Sequence, residues 1–246
     1  MRRFFIHPDE ITKPFPKIFG QDAQHIIKVL RLNKGGHIVL LDGTGLEYEA
    51  KIVRFSTNSV YVSIIRKYLT GTESSVKIIV GQGYLKDKKM DLLVRHLTEI
   101  GIAQWIPVIT ERSIPQPDKK RMLSRTRRWK AVANEAVKQC KRSIPPKIGA
   151  PVSFHEAIGQ SNIADLKIIF FENETTPIKR SLVPDDQNPS KIMIMIGPEG
   201  GFSQKEVEFA KTAGFITASL GPRILKAETA SISACTLVQY LFGDMG

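Results

Sequence analysis

From residue 76 onward, short apolar runs alternate with amphipathic stretches, and this alternation restricts the possible folds more than any other feature. Apolar runs of this length are typical of parallel strands that are buried on both faces of a sheet. The amphipathic stretches between them are predicted to be helices, so this part of the chain is expected to have an α/β fold. The five predicted strands are Val76–Val80, Trp105–Ile109, Ile168–Phe171, Ile192–Ile196 and Phe215–Leu220.

Residues 1–70 show a β-rich pattern instead. The apolar run His37–Leu41 leads into a glycine-rich turn, and two further alternating segments follow at Glu47–Phe55 and Ser59–Ile65. A short helix is predicted over Asp22–Leu30. We therefore expect a small barrel-like domain over residues 1–70 and an α/β domain over residues 76–246. The polar segment Thr70–Ser75 is the predicted linker between them.

The positive charge of this chain is concentrated in one segment. The formal net charge is +12, and eleven basic residues lie between Lys119 and Lys147 with a single acid, Glu135. A cationic surface of this density favours a polyanionic partner such as nucleic acid. A solvated helix face that binds nothing is the alternative interpretation.

Several kinds of catalytic site are not supported by the sequence. Cys140 and Cys235 are far apart and lack the spacing of a zinc site, and the five histidines form no helical ligand pair. His96 is interpreted as a packed core histidine. No secretory signal and no apolar stretch of about 20 residues is present, which favours a reducing cytoplasm as the location.

A Gly-x-Gly pattern follows the first predicted α/β strand, at Gly81 and Gly83. A dinucleotide-binding fingerprint needs a third glycine three residues later, where this chain has Lys86. The two glycines are therefore interpreted as a structural turn.

Two glycine-bearing segments near the C-terminus are the strongest functional signal. Ile196-Gly-Pro-Glu-Gly-Gly-Phe-Ser203 and Leu220-Gly-Pro-Arg-Ile-Leu-Lys-Ala-Glu-Thr-Ala230 each follow a predicted strand and precede a predicted helix. Ser203 and Glu206 have the spacing of a capping box at the first of these helices. Glycine permits main-chain groups to approach a ligand closely. Two such turns on neighbouring strands predict a small-molecule site with walls of backbone.

With these two segments, the sequence resembles the RsmE-type ribosomal RNA methyltransferases of the SPOUT superfamily. The resemblance covers nearly the whole chain. It continues at Arg3-Phe4-Phe5, His25–Leu32, Lys86–Gly101, Arg112-Ser113, Trp129, Glu135-Ala136 and Gln139–Arg142.

The resemblance implies a trefoil-knotted α/β methyltransferase domain preceded by a small PUA-like RNA-binding β-barrel. It implies S-adenosylmethionine as cofactor, no metal, and methylation of N3 of a specific uridine in 16S ribosomal RNA. The implied partners are 16S ribosomal RNA or the small ribosomal subunit and a second copy of the chain, with no membrane partner.

The resemblance, the chemistry of methyl transfer and the charge pattern together suggest site residues. Glu199, Arg142 and Arg223 are the catalytic candidates, Glu199 either as general base or as a residue that fixes the loop or cofactor. The cofactor-binding candidates are Phe171, Glu172, Ile196, Gly197, Pro198, Glu199, Gly200, Gly201, Leu220, Gly221, Ile224 and Leu225. The RNA-binding candidates are Arg2, Arg3, His25, Lys28, Arg31, Arg112, Arg125, Arg128 and Arg142.

Two positions depart from the family pattern. Lys226 stands where the family usually has arginine, and Lys138 where it usually has an acid. Lysine keeps the positive charge but loses the bidentate fork of arginine. The two lysines would support one alternative, an RNA-binding or ribosome-assembly protein whose methyltransferase fold has lost activity. A second alternative is a SPOUT enzyme that acts on another RNA, such as transfer RNA.

Overall fold

A computed structural model describes residues 1–86, 88–114, 118–178 and 188–246. Its internal contacts form two compact units. One comprises Met1–Glu73 with Val137–Pro145, and the other comprises Ser74–Ala136 with Pro146–Gly246. Within those described ranges, no helix combines the length and the apolar character that crossing a membrane requires.

The N-terminal unit contains a five-stranded sheet in the order β1-β3-β4-β5-β2. β1 runs parallel to β3, and the other pairs are antiparallel. Alternating apolar side chains, including Ile38, Leu40, Ile52 and Val62, are buried in its core. The strands are β1 (Arg2–Phe5), β2 (Lys17–Phe19), β3 (His37–Leu41), β4 (Leu46–Phe55) and β5 (Ser59–Leu69).

Helical structure in this unit is short. Helix α1 covers Pro8–Ile11, and α2 covers Gly20–Gln24 and continues directly as a π-helical turn over His25–Val29. The predicted helix over Asp22–Leu30 is therefore present, but its second half has π-helical rather than α-helical hydrogen bonding. π-Helical turns are rare and are frequent at functional sites.

The segment Val137–Pro145 belongs to the N-terminal unit, and Glu73 is one of the residues of that unit that bind it. The Glu73 carboxylate accepts hydrogen bonds from the Arg142 guanidinium and from the N–H groups of Ser143 and Ile144, at 2.8 to 3.1 Å. The sequence-based boundaries assigned this segment to the α/β domain. The physical reason for the difference is that long-range contacts hold this segment on the N-terminal unit: Val137 packs against Val39 and Leu41, and Glu73, inside the predicted linker, binds Arg142.

The second unit contains a parallel sheet in the order β12-β10-β11-β6-β7-β8, with β9 also paired to β7. All of its described pairings are parallel, and the five strands predicted from the apolar runs are confirmed with small shifts of their ends. The strands are β6 (Lys77–Gly83), β7 (Gln104–Ile109), β8 (Lys147–Ile148), β9 (Val152–Ser153), β10 (Leu166–Phe170), β11 (Lys191–Ile196) and β12 (Ile216–Ala218).

Helices cover both faces of this sheet. Ile78 and Val80 pack into a core with Trp105 and Trp129, while Ile79 packs into a second core with Phe154 and Phe202. Because successive strand residues point to opposite faces, these two cores lie on opposite sides of the sheet. The helices are α3 (Lys89–Ile100), α4 (Lys119–Cys140), α5 (Phe154–Gly159), α6 (Gln204–Thr212) and α7 (Ala227–Phe242), with a 3-10 turn at Gln160–Ile163.

Two local interpretations of the sequence need correction. His96 is not a core residue: its side chain is 40% exposed and lies beside Glu99 on the surface of α3. Gly81 and Gly83 lie inside strand β6 and form no turn. They are needed because a Cβ on Gly81 would overlap the Met195 sulfur, and one on Gly83 would overlap the nitrogen of Pro198.

Candidate active site

Three neighbouring strands of the parallel sheet end at the same level. Phe170 at the end of β10 pairs with Ile196 at the end of β11 and with Ala218 at the end of β12. The loops after these strands begin at residues 171, 197 and 219, and they contain the candidate cofactor residues. A crevice at the carboxyl ends of parallel strands is a common ligand site in α/β proteins.

The turn after β11 is tightly closed around its glycines. The Gly201 N–H donates to the Pro198 carbonyl at 2.9 Å, and Gly201 has a φ of +67°. A Cβ on Gly201 would overlap the Glu172 carboxylate, and one on Gly197 would lie 3.0 Å from the Gly201 carbonyl carbon. The structure therefore brings the first two loops into direct contact at Glu172 and Gly201.

Arg112 holds the outer side of the same turn. Its Nη1 donates to the Gly200 carbonyl at 2.9 Å and lies 3.8 Å from the Glu172 Oε1. About half of its side chain is exposed. Arg112, an RNA-binding candidate from the sequence, therefore lies against the candidate cofactor turn with part of its guanidinium still accessible.

Glu199 takes part in a charged cluster that the sequence did not indicate. Its Oε1 accepts from Lys89 Nζ at 3.0 Å, and the same Nζ lies 3.2 Å from the Glu228 carboxylate. Partial burial opposes ionisation of Glu199, but hydrogen bonds from its own N–H, from Lys89 and from the Lys86 N–H outweigh it and lower its pKa. The hydrogen bond to Glu199 raises the pKa of Lys89. Glu199 is thus a weak base that is held in place.

The loop after β12 is open. Gly221, with a φ of +110°, donates its N–H to Ser219 Oγ, and Ile224 is 89% exposed. Arg223 is also exposed, and no described residue forms an ion pair or hydrogen bond with it. Lys226 is the N-cap residue of α7 but makes no capping bond through its side chain. An almost fully exposed isoleucine beside unpaired main chain favours an apolar ligand group at this loop.

The loop after β10 is fixed to β12 by Glu174. Its carboxylate accepts from Thr217 Oγ1 at 2.6 Å and from the N–H groups of Thr175 and Thr176. The hydrogen bond from Thr217, together with those N–H bonds, lowers the pKa of Glu174 to about 2. The Phe171 N–H, close by, donates to the Ala218 carbonyl. These bonds set the position of Phe171 and Glu172.

The capping box predicted at Ser203 is confirmed, and its glutamate also binds a second segment of the chain. Ser203 Oγ accepts from the Glu206 N–H, and Glu206 Oε2 accepts from the Ser203 N–H. Glu206 Oε1 also accepts from the Glu111 N–H at 2.9 Å. This third bond connects α6 to the segment that positions Arg112.

Sequence reasoning missed Gln82, which lies between the two glycines of β6 and is fully buried. Its amide lies within hydrogen-bond distance of the Gly197 carbonyl and of Ser231 Oγ. The Gly-x-Gly pattern was the only signal that could have pointed to this residue, and it was interpreted as a turn.

In the N-terminal unit, the RNA-binding candidates separate into buried and exposed groups. Arg3 pairs with the buried Glu47 and donates to the carbonyls of Lys141 and Arg142. Arg142 itself is only 4% exposed. Neither guanidinium can meet RNA without breaking these bonds, so both are better explained as structural residues. The exposed candidates of this unit are Arg2, His25, Lys28 and Arg31.

The departure at Lys138 has a local explanation in the same unit. Lys138 Nζ lies 3.1 Å from Asp22 Oδ1, and the lysine side chain is largely buried. A basic residue at this position therefore pairs with an acid on α2.

Two other candidates, on helix α4, also have partners. Arg125 Nη1 donates to the hydroxyl of the buried Tyr84 at 3.0 Å, and its guanidinium lies over the Tyr84 ring. Arg128 Nη2 lies 2.7 Å from Asp91 Oδ2 and is still 62% exposed. Lys88 and Arg95 on the adjoining surface are exposed, and the structure describes no partner for either. The side chain of Lys119 lies outside what the structure describes.

The site is built from main chain, carboxylates and cations. In the part of the chain that the structure describes, no group of three or more His, Cys, Asp or Glu residues is arranged to hold a metal ion. The amide N–H groups of Gly200, Ile224 and Leu225 have no partner among the described residues. Free main-chain donors beside an exposed apolar side chain suit a ligand with both polar and apolar parts.

Comparisons with known proteins agree with this geometry. Residues 72–239 match the family described as RNA methyltransferase domain, and residues 20–65 match the RNA methyltransferase PUA domain. The ribosomal RNA small subunit methyltransferase E of Buchnera aphidicola from Acyrthosiphon pisum is 33% identical, over 98% of this chain and 94% of that protein. The Bacillus subtilis protein of the same name is 29% identical, over 98% and 96%.

Solved structures match over the full length. A methyltransferase of Legionella pneumophila with S-adenosylmethionine bound has a TM-score of 0.91 and 30% identity, covering 99% of both chains. The ribosomal RNA small subunit methyltransferase E of Neisseria gonorrhoeae, also bound to S-adenosylmethionine, has a TM-score of 0.87 and 28% identity over 100% of both chains. The expected fold is confirmed, while the knot stays a prediction. This chain belongs to the ribosomal RNA small subunit methyltransferase E family.

Proposed function

We propose that this protein uses S-adenosylmethionine to methylate N3 of a specific uridine in 16S ribosomal RNA. The observation that carries the proposal is that β10, β11 and β12 end at the same edge of the parallel sheet, so that the loops containing Phe171–Glu172, Gly197–Gly201 and Leu220–Leu225 begin side by side. These are the loops that the family resemblance assigned to the cofactor.

The residues present fit this cofactor. Its adenine is flat and partly apolar, and its remaining groups are polar or charged. Ile224, Leu220 and Leu225 offer apolar surface, while the free N–H groups in the second and third loops offer donors. Among the twelve cofactor candidates, Glu172 also packs against the turn after β11, with its carboxylate next to Gly201.

The chemistry requires a nucleophilic nitrogen and a methyl donor held in line. When bound, S-adenosylmethionine supplies a methyl group on a positively charged sulfur. The N3 proton of uridine must pass to solvent water, and negative charge then develops on N3 and on the uracil oxygens. The N3–carbon bond would form as the bond between the methyl group and sulfur breaks. Arg223, exposed in the third loop and without a described partner, is our candidate for stabilising that charge.

Glu199 and Arg142 receive supporting roles in this proposal. The lowered pKa of Glu199 makes it a poor proton acceptor, because a general base works best when its pKa is near the working pH. Its bonds to Lys89 and to the Lys86 N–H favour the second of the two roles considered for it, fixing the turn. Arg142 acts by holding Glu73.

The RNA surface in this proposal consists of exposed cations. In the catalytic unit these are Arg112, Arg128, Lys88 and Arg95, which flank the Lys89–Glu199 cluster or the turn itself. In the N-terminal unit they are Arg2, His25, Lys28 and Arg31. Contacts of such residues with phosphate supply most of the sequence-independent affinity for RNA.

We also propose that the protein functions as a homodimer in the cytoplasm, with 16S ribosomal RNA or the small subunit as its partner. Tyr240 on α7 and Leu92 on α3 are exposed large apolar side chains, and these two helices pack against each other. Light scattering coupled to size-exclusion chromatography gives the oligomeric state directly. A monomer at micromolar concentration would contradict the dimer.

The activity is tested in two steps. Isothermal titration calorimetry with S-adenosylmethionine should show saturable binding. Ribosomal RNA from cells lacking this protein should gain a methyl group on uridine N3 when it is incubated with the purified protein and S-adenosylmethionine. Mass analysis of the digested RNA identifies the base. Binding without methyl transfer would favour the inactive RNA-binding alternative. Methylation of transfer RNA and not of 16S RNA would favour the other SPOUT alternative.

A further inference from the structure

Gln82 forms a buried link among three elements of the catalytic unit. Its Nε2 donates to the carbonyls of Gly83 at 3.1 Å and of Gly197 at 3.4 Å. Its Oε1 lies within hydrogen-bond distance of Ser231 Oγ. Gln82 and Ser231 are both completely buried, so water cannot replace these bonds.

Two partners of Gln82, Gly197 and Ser231, adjoin proposed cofactor loops. Gly197 is the first residue of the turn after β11, and its carbonyl is the group that Gln82 binds. Ser231 is in the first turns of α7, and its Oγ also lies 2.8 Å from the carbonyl of Ala227, the first residue of that helix. The loop Leu220–Leu225 leads directly into α7. Gln82 therefore connects the Gly197–Gly201 turn to the base of the third loop.

The surrounding backbone leaves little room for other arrangements. A Cβ on Gly83 would lie 2.7 Å from the Gly197 carbonyl carbon and would overlap Pro198. This close approach of β6 to the turn is what brings the Gln82 amide to the Gly197 carbonyl. A buried polar link of this kind specifies one geometry when all of its groups are satisfied.

We propose that Gln82, through Ser231, is a positioning residue that sets the spacing of the Gly197–Gly201 turn and the Leu220–Leu225 loop for cofactor binding. This inference rests on the proposed function of those loops. Gln82 is buried beneath the loops and acts through the main chain that it binds. Removing the Gln82 hydrogen bonds is expected to weaken cofactor binding more than removing the hydrogen bonds of another buried glutamine in the same unit.

The chain offers a closely matched control in Gln239. This glutamine is also completely buried and lies in the same unit. Its Nε2 donates to the Ile100 carbonyl at 2.9 Å, and its Oε1 accepts from Ser74 Oγ at 2.9 Å. Gln82 and Gln239 thus each join a backbone carbonyl to a serine hydroxyl. Only Gln82 binds a loop of the proposed site.

The test compares Gln82→Met with Gln239→Met, since methionine keeps the length of the side chain and removes its hydrogen bonds. Both variants should lose stability to a similar extent in urea, because each removes the side-chain hydrogen bonds of a completely buried glutamine. Calorimetry with S-adenosylmethionine should show the Kd rising about tenfold for Gln82→Met and staying within about twofold for Gln239→Met. Equal Kd changes in the two variants would overturn the inference.

A second pair keeps the test decisive if Gln82→Met does not fold. Ser231→Ala and Ser74→Ala remove the hydroxyl partners of the two glutamines. Ser231→Ala should raise the cofactor Kd several-fold, while Ser74→Ala should leave it unchanged. An unchanged Kd in Ser231→Ala would also overturn the inference. Failure of the unmodified protein to bind S-adenosylmethionine is a different result and would contradict the proposed function instead.

Discussion

The Glu73 carboxylate accepts two hydrogen bonds from the Arg142 guanidinium, from Nη2 at 2.8 Å and from Nε at 3.1 Å. The same carboxylate accepts the N–H groups of Ser143 and Ile144. Burial opposes ionisation of Glu73, but the bonds from Arg142 and from those two N–H groups outweigh it and lower its pKa. One residue of the predicted linker thereby fixes the segment that returns from α4.

Removing the Glu73 carboxylate should therefore destabilise the N-terminal unit. Glu73→Ala removes the carboxylate that accepts two hydrogen bonds from the buried Arg142 guanidinium and one each from two N–H groups, and we expect a loss of about 2 kcal/mol in the free energy of unfolding. Urea denaturation followed by fluorescence measures it. Arg66→Met, which breaks the exposed pair with Glu49, is the control and should change little. Comparable losses in both variants would contradict the anchoring role.

The stabilising contribution of Glu174 should be lost at acidic pH. Its folded pKa of about 2 lies below the ordinary value of 4.5, so its contribution is fully present above pH 4.5 and is lost as the pH falls toward 2. The difference in urea midpoint between the unmodified protein and Glu174→Gln should therefore be constant near neutral pH and shrink below about pH 4. A difference in urea midpoint that grows as the pH falls would contradict the lowered pKa of Glu174.

Alanine at Gly201 should impair S-adenosylmethionine binding more than alanine at Gly214, a glycine of similar backbone conformation. Gly201 and Gly214 both have positive φ, at +67° and +85°, so alanine is strained at either position. A Cβ on Gly201 meets the Glu172 carboxylate, whereas one on Gly214 meets nothing within 4 Å. We expect Gly201→Ala to weaken S-adenosylmethionine binding about tenfold and Gly214→Ala to leave it unchanged in calorimetry. Gly200→Val should also weaken it, since its side chain would press on Arg112.

Steady-state kinetics should separate the two roles considered for Glu199. If Glu199 fixes the turn through Lys89, Glu199→Gln should raise the KM for S-adenosylmethionine and keep kcat within about tenfold. Lys89→Met should behave in the same way, because it removes the partner. Loss of a general base would instead lower kcat by about 10² to 10⁴ at saturating cofactor, with Lys89→Met much less affected.

Charge reversal at the exposed cations beside the Lys89 cluster should weaken RNA binding. We expect Lys88→Glu with Arg95→Glu to raise the Kd for a 16S ribosomal RNA fragment about tenfold and to reduce its salt dependence. Lys205→Glu, at another exposed position of the same unit, is the control. Fluorescence anisotropy over a range of salt concentrations measures both effects, and calorimetry checks that cofactor binding is unchanged. An unchanged RNA affinity would remove Lys88 and Arg95 from the proposed surface.

The parallel sheet was predictable because its signal is local. Five apolar runs separated by amphipathic segments predict buried strands and helices, and the strands of the structure follow those runs to within a few residues. The capping box at Ser203 and Glu206 is equally local, and it is present as predicted. Gly214 ends α6 with a positive φ for the same reason.

Contacts between distant parts of the chain could not be predicted. Nothing near Glu73 in the sequence indicates that its partner is Arg142, and nothing near Glu199 points to Lys89 or Glu228. Gln82 and Ser231 are separated by 149 residues. Periodicity describes which residues are buried, but the pairing of buried polar groups depends on how the sheet order brings them together.

Exposure was the other property that the sequence described poorly. Arg3 and Arg142 resemble RNA-binding residues by type and position, yet both side chains are largely enclosed by partners. Lys88 and Arg95 drew no attention in the sequence and are exposed. A charged side chain on a basic segment can be exposed to solvent or enclosed by partners, and its neighbours in three dimensions determine which of the two occurs.

The return of residues 137–145 to the N-terminal unit affects how this architecture can be rearranged in evolution. A single recombination event near residue 75 would transfer the β-strands without Arg142, Ser143 and Ile144, and the Glu73 carboxylate would lose the donors that it binds. Circular permutation or domain grafting in the laboratory meets the same obstacle. The N-terminal unit therefore depends on a segment that follows β6, α3, β7 and most of α4 in the chain, so an exchange of this unit has to include both parts of the gene.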